Sequence, residues 1–241
     1  MRVEVAVQDT AGAAIAYDAG AARVELCVAL PLGGLTPSVG LIRQIRSAVP
    51  RLPVQVLIRP RPGGFVYSPS ELDLMAHDIS AAADEGVAGI VVGALTAAGS
   101  VDARAISTLR QVAPGLEYTF HRAIDHTPSP LGALEAIADA GFTRVLTSGG
   151  APTVGQGVAV LRSMAAAGSG LTILAGGGVT LADLSPLAAA GVSEVHLSAK
   201  SMHHPSGAGV PLGASDTEGN SYQVTDPAQV AAVVEQATRL G

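Results

Sequence analysis

Asp18-Ala19-Gly20-Ala21-Ala22-Arg23-Val24-Glu25-Leu26 reads as the last turn of a helix, a glycine stop and a short strand. The same phrase returns at Asp84–Val92 (DEGVAGIVV), Asp139–Thr147 (DAGFTRVLT) and Ala189–Leu197 (AAGVSEVHL). Gly20, Gly86, Gly141 and Gly191 each stand just past a helix end, where a left-handed residue without a Cβ closes the helix. The apolar run that follows is short and bounded by turns, as a buried parallel strand should be. Four more strand candidates lie between these phrases, at Val3–Val7, Val54–Ile58, Leu116–His121 and Thr172–Ala175. Strand and helix thus alternate eight times in 241 residues. That count predicts an α/β fold, a single-domain (β/α)8 TIM barrel over residues 1–241, with a doubly wound open sheet as the alternative.

Helix starts agree with this division. Ser68-Pro69-Ser70-Glu71 is a capping box with proline at the first helical position. Thr36-Pro37, Ser129-Pro130 and Asp226-Pro227 repeat the cap-then-proline signal, and Thr180 with Asp183 is a weaker version. Residues 201–225 break the rhythm. They are rich in Gly, Ser, Pro and His, and are expected to form a long loop after the eighth strand, on the face where barrels carry function.

Composition narrows the class of partner. The net charge is −6 and aromatic residues are 3% of the chain. A nucleic-acid surface would need a basic patch and stacking platforms. No apolar run approaches the ~20 residues of a membrane span, and the opening MRVEVAVQD alternates like a strand rather than a secretory signal. These features predict a cytoplasmic protein with neither nucleic acid nor membrane as partner. Cys27 is the single cysteine, so no intrachain disulfide forms.

In a closed barrel alternate strand residues point inward. That rule gathers Glu4, Glu25, Cys27, Arg59, Arg61, His121, His196, Ser198 and Lys200, with Arg122, Asp125, Thr147 and Ser148 just beyond strand ends. Buried charges must be paired or await a ligand. Glu4, Glu25, His121 and His196 are the candidate acid–base groups. Arg59, Arg61 and Arg122 are the candidate anion clamp. Glycine turns at Ser148-Gly149-Gly150 and Gly176-Gly177-Gly178 could present backbone N–H groups to a phosphate. Cys27 is the one thiolate available to a soft metal, with Met202, His203 and His204 as possible further ligands; a lone cysteine is equally an ordinary small core residue. Lys200 could form a Schiff base if desolvated. His77 and His126 are assigned no role.

In order along the chain stand Arg23-Val24-Glu25-Leu26-Cys27, Gly33-Gly34-Leu35-Thr36-Pro37-Ser38, Ile58-Arg59-Pro60-Arg61 and Gly64-Phe65-Val66-Tyr67-Ser68. Then come Thr119-Phe120-His121-Arg122-Ala123 with Asp125, Arg144-Val145-Leu146-Thr147-Ser148-Gly149, Gly176-Gly177-Gly178-Val179, and Glu194-Val195-His196 with Ser198-Ala199. With these motifs the sequence resembles the CutC family from Val3 to about Thr225. The resemblance implies a cytoplasmic barrel linked to copper tolerance, a homo-oligomer (dimer or tetramer), and Cu(I) binding through two cysteines in some members. The second of those cysteines matches Cys27. The first falls at Ala6, and the stretch after the eighth strand is altered to Ser206-Gly207-Ala208-Gly209-Val210.

Three functions are therefore open: a copper-binding homeostasis protein; an enzyme doing acid–base chemistry on a small anionic or phosphorylated metabolite, with or without a divalent metal held by the Glu and His set; and a non-catalytic scaffold with a self-neutralised interior. The residues favour the second, and the resemblance favours the first.

Overall fold

The computed structural model describes residues 1–206 and 221–240. Eight βα units follow one another. The first four are β1 (Arg2–Val7) with α1 (Thr10–Asp18), β2 (Arg23–Leu26) with α2 (Val39–Ala48), β3 (Val54–Leu57) with α3 (Pro69–Asp84), and β4 (Gly89–Val92) with α4 (Ala103–Val112). Then come β5 (Glu117–Phe120) with α5 (Pro130–Asp139), β6 (Arg144–Thr147) with α6 (Val154–Ala166), and β7 (Thr172–Gly176) with α7 (Leu181–Ala189). Strand β8 (Glu194–Leu197) is followed by the short strands β9 (Lys200–His203) and β10 (Tyr222–Thr225) and by α8 (Pro227–Arg239). Strands β1 to β8 pair in parallel, and β1 pairs with both β2 and β8. The sheet is closed, which removes the open-sheet alternative.

Alternation along each strand divides the core in two. Outward residues such as Val5, Val24, Val56, Ile90, Phe120, Val145 and Val195 pack under the helices in one large apolar cluster. Inside the barrel the apolar part is small, with Cys27, Leu57 and Val91 packed under Leu30. Most of the remaining interior is polar, including buried Glu4, Arg23, Glu25, Gln55, Arg144 and Glu194.

The four predicted glycine stops have φ values of +82°, +71°, +81° and +83° at Gly20, Gly86, Gly141 and Gly191. The capping box at Ser68 and Glu71 is formed, and Ser129 and Asp226 cap α5 and α8. Two expectations need correction. Helix α2 is capped by Ser38, not Thr36: the Thr36 hydroxyl accepts the Arg59 N–H at 2.9 Å, and Ser38 Oγ takes the Leu41 N–H instead. The 201–225 segment is not loop throughout. Its ends form an antiparallel ribbon pairing Tyr222 with His203 and Val224 with Ser201. Each strand has four residues and its partner lies about twenty residues away, so no local periodicity announces it. Residues 207–220, including Gly207–Val210, lie outside the described residues.

Candidate functional site

A cavity of about 250 Å³ opens at the carboxyl ends of the strands. Its walls include Glu25 and Cys27 from β2 and its exit, Arg59 after β3, His121 after β5, and His196 from β8. Ala6, Leu30, Leu57, Leu146 and Phe65 supply the apolar surface. Of the charged and imidazole groups gathered from the sequence, Glu25, Arg59, His121, Arg122 and His196 line this cavity, and Glu4, Arg61, Asp125 and Lys200 do not.

Glu4 lies beneath that cavity rather than on its wall. His196 Nδ1 is 2.7 Å from Glu4 Oε1 and 3.4 Å from Glu25 Oε2, so one imidazole is shared by two carboxylates. Burial disfavours the charge on Glu4, but the His196 hydrogen bond and the Arg23 guanidinium outweigh it and hold the carboxyl at about 2. Glu25 lacks the hydrogen bonds that Glu4 has to His196 and Arg23. Burial pushes it up to about 7, against the pull of His196 and with a push from Glu4. His196 pays for its own burial but is raised by Glu25 and Glu4. The trio thus holds a carboxylate kept ionised, an imidazole whose protonation its two neighbours favour, and a carboxyl poised near neutrality.

His121 is the opposite case. Burial, then the nearby Arg59 charge, lower it to about 3, so the ring is neutral. Its Nδ1 accepts the Ala123 N–H at 3.2 Å, which leaves the hydrogen on Nε2. Among the described residues Nε2 has no partner. The ring fits because Gly93, just past β4, has no side chain; a Cβ there would stand 2.7 Å from His121 Nδ1.

The anion clamp differs from expectation. Arg59 lines the cavity, but its Nη atoms donate to the carbonyls of Leu32, Gly34 and Gly63, and only Nε lacks a partner. Its guanidinium carbon lies 5.5 Å from the Phe65 ring centroid. Arg61 turns away, pairs with Glu71 and donates to the carbonyls of Gly64 and Val66. Strand β3 ends at Leu57; Arg59 is still held in line by its N–H bond to Thr36, whereas Arg61 lies farther along, where alternation no longer sets direction. The Ser148-Gly149-Gly150 turn is already filled. Asp125 accepts from Thr147 Oγ1 (2.5 Å), Ser148 N (3.1 Å), Ser148 Oγ (3.0 Å) and Gly150 N (2.9 Å). Gly149 N donates to Thr147 Oγ1. An internal carboxylate occupies the place expected for a ligand phosphate. Arg122 binds Asp125 through Nε and Ser148 Oγ through Nη2.

Metal-ligating atoms also group differently from expectation. Among the described residues, Glu4, Glu25 and His196 bring ligand atoms within 4.8 Å of one another. Met202, His203 and His204 lie on or next to the β9 strand and are absent from the cavity wall. Cys27 is on that wall, yet burial and the Glu25 charge push its thiol well above the ordinary thiol range. Ala6 lines the same cavity where a second thiolate would be needed. A two-thiolate Cu(I) site does not fit these residues. Lys200 is exposed, on a strand rather than in a loop, without the desolvation a Schiff-base lysine needs.

Sequence reading missed the charges below the trio. Glu194 is fully buried and contacts Arg2, Arg23 and Arg144, and Arg144 also reaches Glu117 and Thr119. The signal was present: Arg23, Arg144 and Glu194 stand two residues before Glu25, Leu146 and His196 on the same inward faces.

Fold and cavity together define a (β/α)8-barrel protein with a well of ionisable side chains at its strand ends. The model of the CutC family matches residues 1–201, and the chain belongs to that family. It is 42% identical over 198 residues to a CutC family protein of Erwinia tasmaniensis, covering 82% of this chain and 78% of the relative. To one of Photobacterium profundum it is 37% identical over 240 residues, covering 97% and 98%. A solved CutC structure from Streptococcus agalactiae, named for copper homeostasis, superposes with a TM-score of 0.77 at 30% identity over 82% of this chain and 98% of that one. Among the described residues no helix is long and apolar enough to cross a membrane.

Proposed function

We propose that this CutC protein acts on a small anionic metabolite by acid–base chemistry in the strand-end well. One observation carries the reading: Glu25, its carboxyl raised to about 7, shares a cavity wall with His121, whose hydrogen sits on an unpartnered Nε2. Glu25 exchanges the proton, with His196 and Glu4 setting its charge from below. His121 is a neutral donor suited to polarising a substrate oxygen. The test has two arms. Carboxyl infrared titration should show a group ionising near pH 7 that is lost in Glu25→Gln. A panel of small phosphorylated and carboxylated carbonyl compounds in deuterated water should show exchange that Glu25→Gln abolishes. No exchange with any compound, or no carboxyl ionising near neutrality, rejects the reading.

Copper is the second reading, supported by the family name for copper homeostasis and by Cys27 on the same wall. It makes copper the cargo of the well. Competitive Cu(I) titration tests it: tight binding lost in Cys27→Ala supports it, and equal or absent binding in both proteins removes it. A cytoplasmic location and a homo-oligomeric state belong to the proposal as well. Fractionation and sedimentation equilibrium check them.

A further inference from the structure

A second chamber of about 280 Å³ adjoins the well and shares Ala6, Leu30, Gly33, Arg122 and His196 with it. Its own walls are Gly177, Gly178, Val179, Ser198, Lys200 and Gln229. Among the described residues no carboxylate lines it, whereas Arg122, Lys200 and His196 do. Asp125 balances Arg122, and Glu4 with Glu25 balance His196, so the chamber offers guanidinium and imidazole groups beside the exposed Lys200 rather than a net positive field.

The neighbouring turn shows what such a backbone binds. After β6, the turn through Gly149 and Gly150 (φ +75° and +74°) closes its N–H groups on Asp125 and Thr147. After β7, the turn through Gly177 and Gly178 (φ +115° and +70°) is also left-handed. There the N–H groups of Gly177, Gly178 and Val179 donate to no acceptor among the described residues. Arg122 links the two turns. Its Nε and Nη2 are held by Asp125 and Ser148. Its Nη1 lies 3.1 Å from where a Cβ on Gly177 would be, so only glycine lets the guanidinium come so near.

We propose that this chamber binds a tetrahedral oxyanion, the phosphate group of a substrate whose other end reaches Glu25. Backbone N–H groups of the β7 turn, Arg122 Nη1, Ser198 and Lys200 are the donors. The substrate class is thus a small phosphate monoester, and this assignment rests on the acid–base reading of the well. The anion site itself does not require that reading.

Thermal shift and calorimetric titration with inorganic phosphate, sulfate and acetate decide the matter. Phosphate and sulfate are expected to stabilise the protein saturably and acetate weakly. Lys200→Ala, on an exposed strand, should weaken phosphate at least about tenfold. Gly177→Ala should do the same by displacing Arg122. Arg61→Ala, outside both chambers, should bind as the wild type does. No response to phosphate, or equal responses in Lys200→Ala and Arg61→Ala, overturns the proposal. Phosphate binding should persist in Glu25→Gln, so failure of the acid–base reading leaves a distinct signature.

Discussion

The Nδ1 atom of His121 accepts the backbone N–H of Ala123 at 3.2 Å, and this bond fixes which nitrogen carries the hydrogen. Nitrogen-15 NMR should report His121 as the neutral Nε2–H tautomer from pH 8 downward, protonating only as the pH nears 3. A His121 titration near its ordinary 6.5 would contradict the geometry. Gly93→Ala places a methyl against that ring, and should abolish the tautomer signature.

Glu25 and His121 act on stability with opposite signs. The folded chain holds Glu25 at about 7 against an ordinary 4.5, so its contribution is full below pH 4.5 and is lost as pH rises through 7. His121 is held at about 3 against 6.5, so its contribution is full above pH 6.5 and is lost as pH falls towards 3. Between 4.5 and 6.5 the slopes cancel, each up to about 1.4 kcal/mol per pH unit. Urea denaturation across that interval should be nearly flat for these two groups in the wild type. It should show stability rising with pH in Glu25→Gln and falling with pH in His121→Gln.

Asp125 holds the β6 turn through five donors, including the Arg122 Nε at 2.8 Å. Asp125→Ala leaves those N–H groups and the Arg122 charge uncompensated. The expected loss is about 3–5 kcal/mol in denaturant midpoint analysis. A loss under about 1 kcal/mol would mean water replaces the carboxylate without penalty.

Glu194 offers a direct contrast between buried and exposed pairs. Glu194→Gln removes the buried carboxylate that Arg23 and Arg144 share, leaving Arg23 only Glu4 and Arg144 only Glu117 and Thr119, and should cost about 3 kcal/mol. Glu235→Gln breaks only the exposed pair with Arg239, and should cost under about 1 kcal/mol. Equal losses in the two variants would show that the interior charges are hydrated.

Much of this architecture can be read from the chain. The glycine stops at Gly20, Gly86, Gly141 and Gly191 are local, and each encodes a helix end followed by a strand. The inward place of Glu25, His121 and His196 follows from alternation, which is also local. Arg61 obeys the same spacing on paper, but Pro60 and Pro62 carry it beyond the end of β3, where alternation no longer dictates direction. Asp125 filling the turn at Ser148 is a contact across 23 residues, and no spacing rule announces it. The β9–β10 ribbon is hidden for the same reason. Arg23, Arg144 and Glu194 were legible by alternation; they lie one layer below the strand tips where function is usually sought.

Because Arg23, Arg144 and Glu194 plug the barrel beneath Glu4, the well has a floor. A molecule held in the well cannot leave through the bottom of the barrel. Exchange with the surroundings is thereby confined to the strand-end side, and crowding at that rim rather than flow through the barrel would set how fast the well empties and refills.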